Sequence, residues 1–141
     1  MRKRETVIVS LVALVAILSG YIIWSFIGTS GFTLKAKDKE YSRGVDSITC
    51  TFSNRTIRVI HYGDQFIMER FVDNQWTNIN DSETDTNFEL GLHTLKPLSS
   101  VEILYLVSVY SSFNEVGEYR IVIQAKSGKD VFTIYCPFTV K

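Results

Sequence analysis

Two cysteines, two histidines and two prolines are all that 141 residues hold of the types that most often carry chemistry or break regular structure. Cys50 and Cys136 lie far apart, so the four clustered ligands of a structural zinc site cannot be assembled from them. His61 and His93 stand alone, with no His-x-x-x-His pair, and each reads as a strand or turn residue. No serine sits in a Gly-x-Ser-x-Gly elbow, and no glycine-rich phosphate loop exists. An acid, a base and a nucleophile cannot be named together. The sequence therefore predicts a protein that is not an enzyme and uses no metal and no cofactor.

A surplus of positive charge is also missing. Lysine plus arginine and aspartate plus glutamate both number 15. The opening Met-Arg-Lys-Arg-Glu takes three of the basic and one of the acidic residues, leaving 12 against 14 in the rest. A mildly acidic domain cannot neutralise a phosphate backbone, so no nucleic-acid partner is expected.

Charge is absent altogether between Thr6 and Gly28. These 23 residues would span about 35 Å as a helix, against a hydrocarbon core of about 30 Å. Arg2, Lys3 and Arg4 precede the run, which places residues 1–5 in the cytoplasm and the remainder outside. Tyr21, Trp24 and Phe26 gather at the far end, where amphipathic rings favour the headgroup layer. The reading adopted is a single-pass cell-membrane anchor, one N-terminal transmembrane helix over 6–28. The rival is a cleaved signal peptide with Gly28-Thr29-Ser30 at the cleavage site, which would make the protein secreted. Both export the domain. A lipoprotein anchor is not expected, because the first cysteine is Cys50, far beyond the apolar segment.

Residues 29–31 form a short link, and residues 32–141 break into short runs rich in β-branched and aromatic residues. Phe32, Leu34 and Ala36 alternate with Thr33, Lys35 and Lys37; Ile48, Cys50 and Phe52 alternate with Thr49, Thr51 and Ser53. Ile57 to His61 and Gln65 to Phe71 read as one long strand interrupted at Gly63-Asp64 by a bulge or a tight bend. Asp73-Asn74-Gln75 turns the chain into a short strand opened by Trp76. Leu95-Lys96-Pro97 leads into a long apolar strand from Val101 to Tyr110. Glu118 to Ala125 and Val131 to Val140 form a hairpin across residues 126–130. Short strands at this spacing make an all-β sandwich or barrel.

Two passages narrow that choice. Gly117-Glu118-Tyr119-Arg120-Ile121-Val122-Ile123 resembles the sixth strand of immunoglobulin-type sandwiches, with Ile121 where antibody domains place a cysteine. The resemblance implies that Tyr119 forms a tyrosine corner, its hydroxyl bonded to backbone upstream. Between residues 45 and 123 a wider set recurs in order. Asn54 closes an early strand, Tyr62-Gly63-Asp64-Gln65-Phe66 leads into Glu69, and Asn74-Gln75-Trp76 makes the next turn. Leu95-Lys96-Pro97 and Gly117-Glu118-Tyr119-Arg120-Ile121-Val122 follow. This set resembles a bacterial immunoglobulin-like domain family of Gram-positive surface proteins. One departure stands out: the long strand carries Ile103, Tyr105 and Val107 where that family usually has Trp. The resemblance implies an all-β, immunoglobulin-like β-sandwich and supplies no catalytic residues.

Cys50 shares a face with Ile48 and Phe52, and Cys136 with Ile134 and Phe138. In an oxidising compartment they are placed to bridge the two sheets; otherwise they are two ordinary buried thiols. The stretch from Asn78 to Asn87 is polar, with Asn80, Asp81, Glu83 and Asp85 as a candidate recognition loop. It is not an EF-hand, because the sixth and twelfth positions counted from Asp81 are Thr86 and Leu92. The expected function is a membrane-anchored extracytoplasmic domain with a binding or structural role, towards a protein or cell-wall partner. The alternative is a sensor or regulatory ectodomain that signals through a membrane partner, since a five-residue tail carries no signalling domain.

Overall fold

The computed structural model describes residue 15 and residues 31–79, 92–110 and 113–141. Among the described residues no helix is long and apolar enough to cross a membrane. Thr6 to Gly28, residue 15 apart, lies outside them, as does the loop holding Asn80, Asp81, Glu83 and Asp85.

Ten strands follow one another: β1 (Phe32–Ala36), β2 (Glu40–Tyr41), β3 (Ser47–Asn54), β4 (Ile60–Tyr62), β5 (Ile67–Val72), β6 (Gln75–Asn78), β7 (His93–Leu95), β8 (Ser99–Leu106), β9 (Gly117–Ser127) and β10 (Asp130–Val140). They make two sheets. The smaller runs β1-β3-β8, and the larger runs β2-β10-β9-β4-β7, with β5 also on β9 and β6 beyond it. All pairings are antiparallel except the short parallel contact of β2 with the end of β10. Between β1 and β2 the chain thus crosses from one sheet to the edge of the other within a few residues. The result is a sandwich, not a closed barrel.

The two-residue side-chain period dictates which face is buried. In β3 burial alternates without a break, and Ile48, Cys50 and Phe52 point inward. They meet Tyr119, Ile121 and Ile123 of β9 and Ile134, Cys136 and Phe138 of β10 in one core. Aromatic edges close its ends. Phe52 meets Tyr62 at 5.2 Å between ring centroids, and Phe113 meets Tyr119 at 5.0 Å. Just beyond the end of β8 Val107 is fully buried, and within β8 the hydroxyl of the buried Tyr105 has no hydrogen-bond partner.

Turn chemistry sets the registers. Asp73 and Asn74 take φ of 49° and 63°, the left-handed pair of a two-residue hairpin turn between β5 and β6. Both residue types tolerate that region because their short polar side chains bond locally. Gly128, at φ 62°, opens the equally tight turn between β9 and β10. That hairpin is longer than the sequence suggests, because Lys126 and Ser127 continue the strand and only Gly128 and Lys129 make the turn.

The expected bulge at Gly63-Asp64 takes a definite form. Tyr62 pairs with Ala125 and Ile67 with Val122, so four residues stand opposite the two between those partners. Two other expectations are corrected. Ile57 to Val59 bends away from the sheet because Asn54 and Thr56 side chains bond the backbone nitrogens of Thr56 and Arg58. The long strand ends at Leu106, beyond which Val107 and Ser108 both donate to the carbonyl of Asp46. Strands β2 and β7, two and three residues long, were not anticipated.

Candidate binding face

The outward face of the larger sheet carries a cluster that strand pairing assembles. Phe71 stands opposite Trp76, Glu69 opposite Arg120, Arg120 opposite Pro137, and Val122 between Ile67 and Tyr135. Each lies on the side of its strand away from the shared core, and Val122 among them is nevertheless buried. At the centre, the Arg120 guanidinium lies 4.3 Å from the Trp76 ring centroid and 4.2 Å from that of Tyr135. Its Nε donates to a Glu69 carboxylate oxygen at 2.5 Å. The Trp76 ring meets Phe71 at 5.1 Å.

Each part explains another. The ion pair fixes the guanidinium plane, and with 20 % of each charged side chain exposed it is partly shielded from water. A fixed guanidinium draws two rings onto its faces, each contact worth about 0.5–2 kcal/mol. Those rings are held in one orientation before anything binds. Tyr135 and Phe71 remain 47 % and 38 % exposed, and Ile67 and Val131 widen the apolar surface around them. Arginine, tryptophan and tyrosine grouped in a rigid patch are the residues that dominate protein–protein contacts.

A shallow cleft of about 550 Å³ continues this face around the sheet edge. It opens between β1 and β10, lined by Phe32, Leu34, Phe132, Ile134, Tyr135 and Pro137. Tyr135 and Pro137 belong to both features. Beyond the contact of Thr139 and Val140 with β2, the outer edge of β10 has no strand partner among the described residues. Pro137 lacks a backbone N–H and blunts that edge against uncontrolled strand addition.

The residues named from sequence fall elsewhere. Tyr119 is buried beneath the sheet, its hydroxyl donating to the carbonyl of Glu115 at 2.8 Å. Burial pushes its phenol up, and the nearby Arg70 partly offsets this. Arg70 also pairs with the Glu115 carboxylate and donates to the Val116 carbonyl, fastening the same corner from outside. Cys50 and Cys136 meet in the core, with sulfurs 3.5 Å apart and both thiols free. His61 and His93 lie on neighbouring strands, one against Thr94 Oγ1 at 3.1 Å and the other against Asp64 at 2.6 Å. No group of three or more His, Cys, Asp or Glu among the described residues could hold a metal ion.

The sequence reading did not find the Trp76–Arg120–Tyr135 stack. Its only signal was aromatic residues at outward positions of Phe71, Trp76 and Tyr135, and that becomes visible only once the strand registers are known.

A family model described as a bacterial Ig-like domain matches residues 28–139. Three solved structures are similar. The archaellum periplasmic stator protein FlaG from Sulfolobus acidocaldarius is 19 % identical, with a TM-score of 0.38 over 76 % of this chain and 99 % of that one. The alkylpurine DNA glycosylase AlkC from Pseudomonas fluorescens is 7 % identical, at 0.38 over 79 % and 30 %. The β-glucosidase from Listeria innocua is 16 % identical, at 0.36 over 77 % and 16 %. The chain therefore spans less than a third of the glycosylase and the glucosidase, and TM-scores this low carry no functional argument. No curated protein matches the chain.

Proposed function

The chain belongs to the bacterial Ig-like domain family, and from that premise we propose an extracytoplasmic binding module held at the cell membrane by Thr6 to Gly28. Its contact surface is the outward face of the larger sheet, and its partner is a protein of the cell envelope. The observation that carries this is the stack of Trp76, Arg120 and Tyr135, fixed by Glu69 and bordered by exposed Phe71 and Ile67. A fold of this kind hosts many roles, so the proposal stands on that surface and not on the architecture. The stack is nearly neutral, because Glu69 offsets Arg120. Shape and apolar contact then set affinity, and salt should change it little.

The test is site-specific photocrosslinking in intact cells. Full-length protein carrying a photoreactive residue at Phe71 or Tyr135 should give one discrete protein adduct. The same residue at Thr51 or Leu104, on the smaller sheet, should give none. Adducts that disappear on digestion of wall polymer would point to a glycan partner instead. Equal adducts from both sheets, or none from either, would overturn the assignment. Membrane attachment is read separately. Full-length protein should sediment with membranes in high salt, and protease added outside should degrade everything after residue 31. Mature protein that begins near Gly31 in the medium would remove the anchor.

A further inference from the structure

Cys50 lies in β3 and Cys136 in β10, strands of opposite sheets 86 residues apart in sequence. Neither residue is exposed at all, and their sulfurs stand 3.5 Å apart. The chain has no other cysteine. A disulfide has an S–S bond of about 2.05 Å, so closure asks for about 1.5 Å of relative movement, within reach of side-chain rotation. We propose that Cys50 and Cys136 form a single disulfide joining the two sheets through the core of the exported protein. This rests on the extracytoplasmic placement given above, since thiols stay reduced in the cytosol.

The pairing differs from that of antibody domains. There the second cysteine sits on the sixth strand. Here that position is Ile121, and the partner sulfur comes from the neighbouring strand, at the residue that pairs with Ile121. One core position has moved one strand sideways. The bond would still cross the middle of the sandwich and lock β3 to β10, which no backbone hydrogen bond joins.

The chemistry is thiol–disulfide exchange. One thiolate attacks the disulfide of an extracytoplasmic oxidant, either a disulfide oxidoreductase or a small-molecule disulfide. A mixed disulfide forms and one oxidant thiolate leaves. The second thiolate attacks the mixed disulfide, closes the bond and releases the other oxidant sulfur. The protein loses two protons and two electrons, which the oxidant takes up to end as two thiols. The folded core admits no such reagent, because both cysteines are fully buried. Oxidation therefore belongs to the folding stage, after export and before the sheets close. Once formed, the bond is sealed from reductants by the same packing.

The test uses full-length protein in its own membranes. Cells are acid-quenched, unfolded and alkylated without reductant, and the peptides are weighed. External protease on a parallel sample reports where the domain lies. The expected result is a protease-sensitive domain with one Cys50–Cys136 peptide pair two hydrogens lighter than its reduced parts. Two alkylated thiols in a protease-sensitive domain would overturn the disulfide and leave the placement intact. Two alkylated thiols in a protected domain would overturn the placement instead. In that case refolding the purified full chain in a glutathione buffer decides the site. Native-like folding with the bond sustains it, whereas folding only with free thiols overturns it.

Discussion

The side-chain amide of Asn54 donates to the carbonyl of Lys96 at 3.0 Å, tying the end of β3 to the approach of β8. The same nitrogen donates to the carbonyl of Arg58 at 2.7 Å. Its oxygen accepts from the backbone nitrogen and the hydroxyl of Thr56, at 3.0 and 2.7 Å. A side chain only 1 % exposed thus has both its donors and its acceptor engaged. Asn54→Ala strips partners from two carbonyls, a hydroxyl and an N–H, so it should lower stability by about 2–4 kcal/mol. Urea unfolding of the full chain in detergent measures this. A loss under about 1 kcal/mol would mean that water replaces the amide and that the turn does not depend on it.

Asn54 also shows how far sequence reading reaches. The alternation of Ile48, Cys50 and Phe52 announces a half-buried strand, and the residue that ends it was named from the family resemblance. Its role in holding Lys96 was not legible, because that contact spans 42 residues and depends on how two loops meet. The hairpin turn at Asp73 and Asn74 was readable from residue type, although Gln75, expected in the turn, already belongs to β6. Strand β2 was not: two residues establish no period, and only the edge of β10 makes Glu40 and Tyr41 a strand. The candidate face failed for a related reason. Trp76, Arg120 and Tyr135 lie on three different strands, so no window of sequence brings them together. Local pattern encodes which way a side chain points, and strand pairing decides what it meets.

The hydroxyl of Tyr119 bonds the Glu115 carbonyl at 2.8 Å, with the rings of Phe113 and Phe138 on one side and the Arg70 guanidinium 5.8 Å from its ring centroid. Tyr119→Phe keeps the rings and removes that bond. Stability should fall by about 1–2 kcal/mol with the fold unchanged, since the carbonyl is left without its partner. Equal unfolding midpoints for the two proteins would show that the corner contributes nothing.

Alkaline pH should destabilise the domain. Burial raises the phenols of Tyr41, Tyr62, Tyr105 and Tyr119 above the usual 10.0. In the unfolded chain they lose protons near that value, while in the fold they keep them. Above pH 10 the unfolded state therefore holds fewer protons, and stability falls as pH rises. It is fully present below pH 10. Unfolding midpoints followed from pH 8 to 11.5 should be flat at first and then decline. Part of the ultraviolet phenolate signal should appear only together with unfolding. The full signal of all seven tyrosines with the fold intact would show that these four hydroxyls reach solvent.

The last expectation separates a stack that only stabilises the sheet from one that also binds. Arg120 sits between two rings, so Trp76→Ala and Arg120→Ala should not have independent effects on stability. A double-mutant cycle should give a coupling of about 0.5–1.5 kcal/mol, because each single change already removes the contact. Arg120→Lys should recover little of it, since an ammonium has no plane to lie between two rings and cannot hold Glu69 in the same geometry. Those measurements concern the sheet alone. Tyr135→Ala adds the second reading: Tyr135 is 47 % exposed, so truncating it removes less buried area than truncating Trp76. If the face binds a protein, Tyr135→Ala should cost under about 1 kcal/mol of stability and yet reduce the adduct formed from a photoreactive residue at Phe71 by tenfold or more. An adduct that falls only in proportion to lost stability would assign the stack to the fold and leave the binding face without its centre.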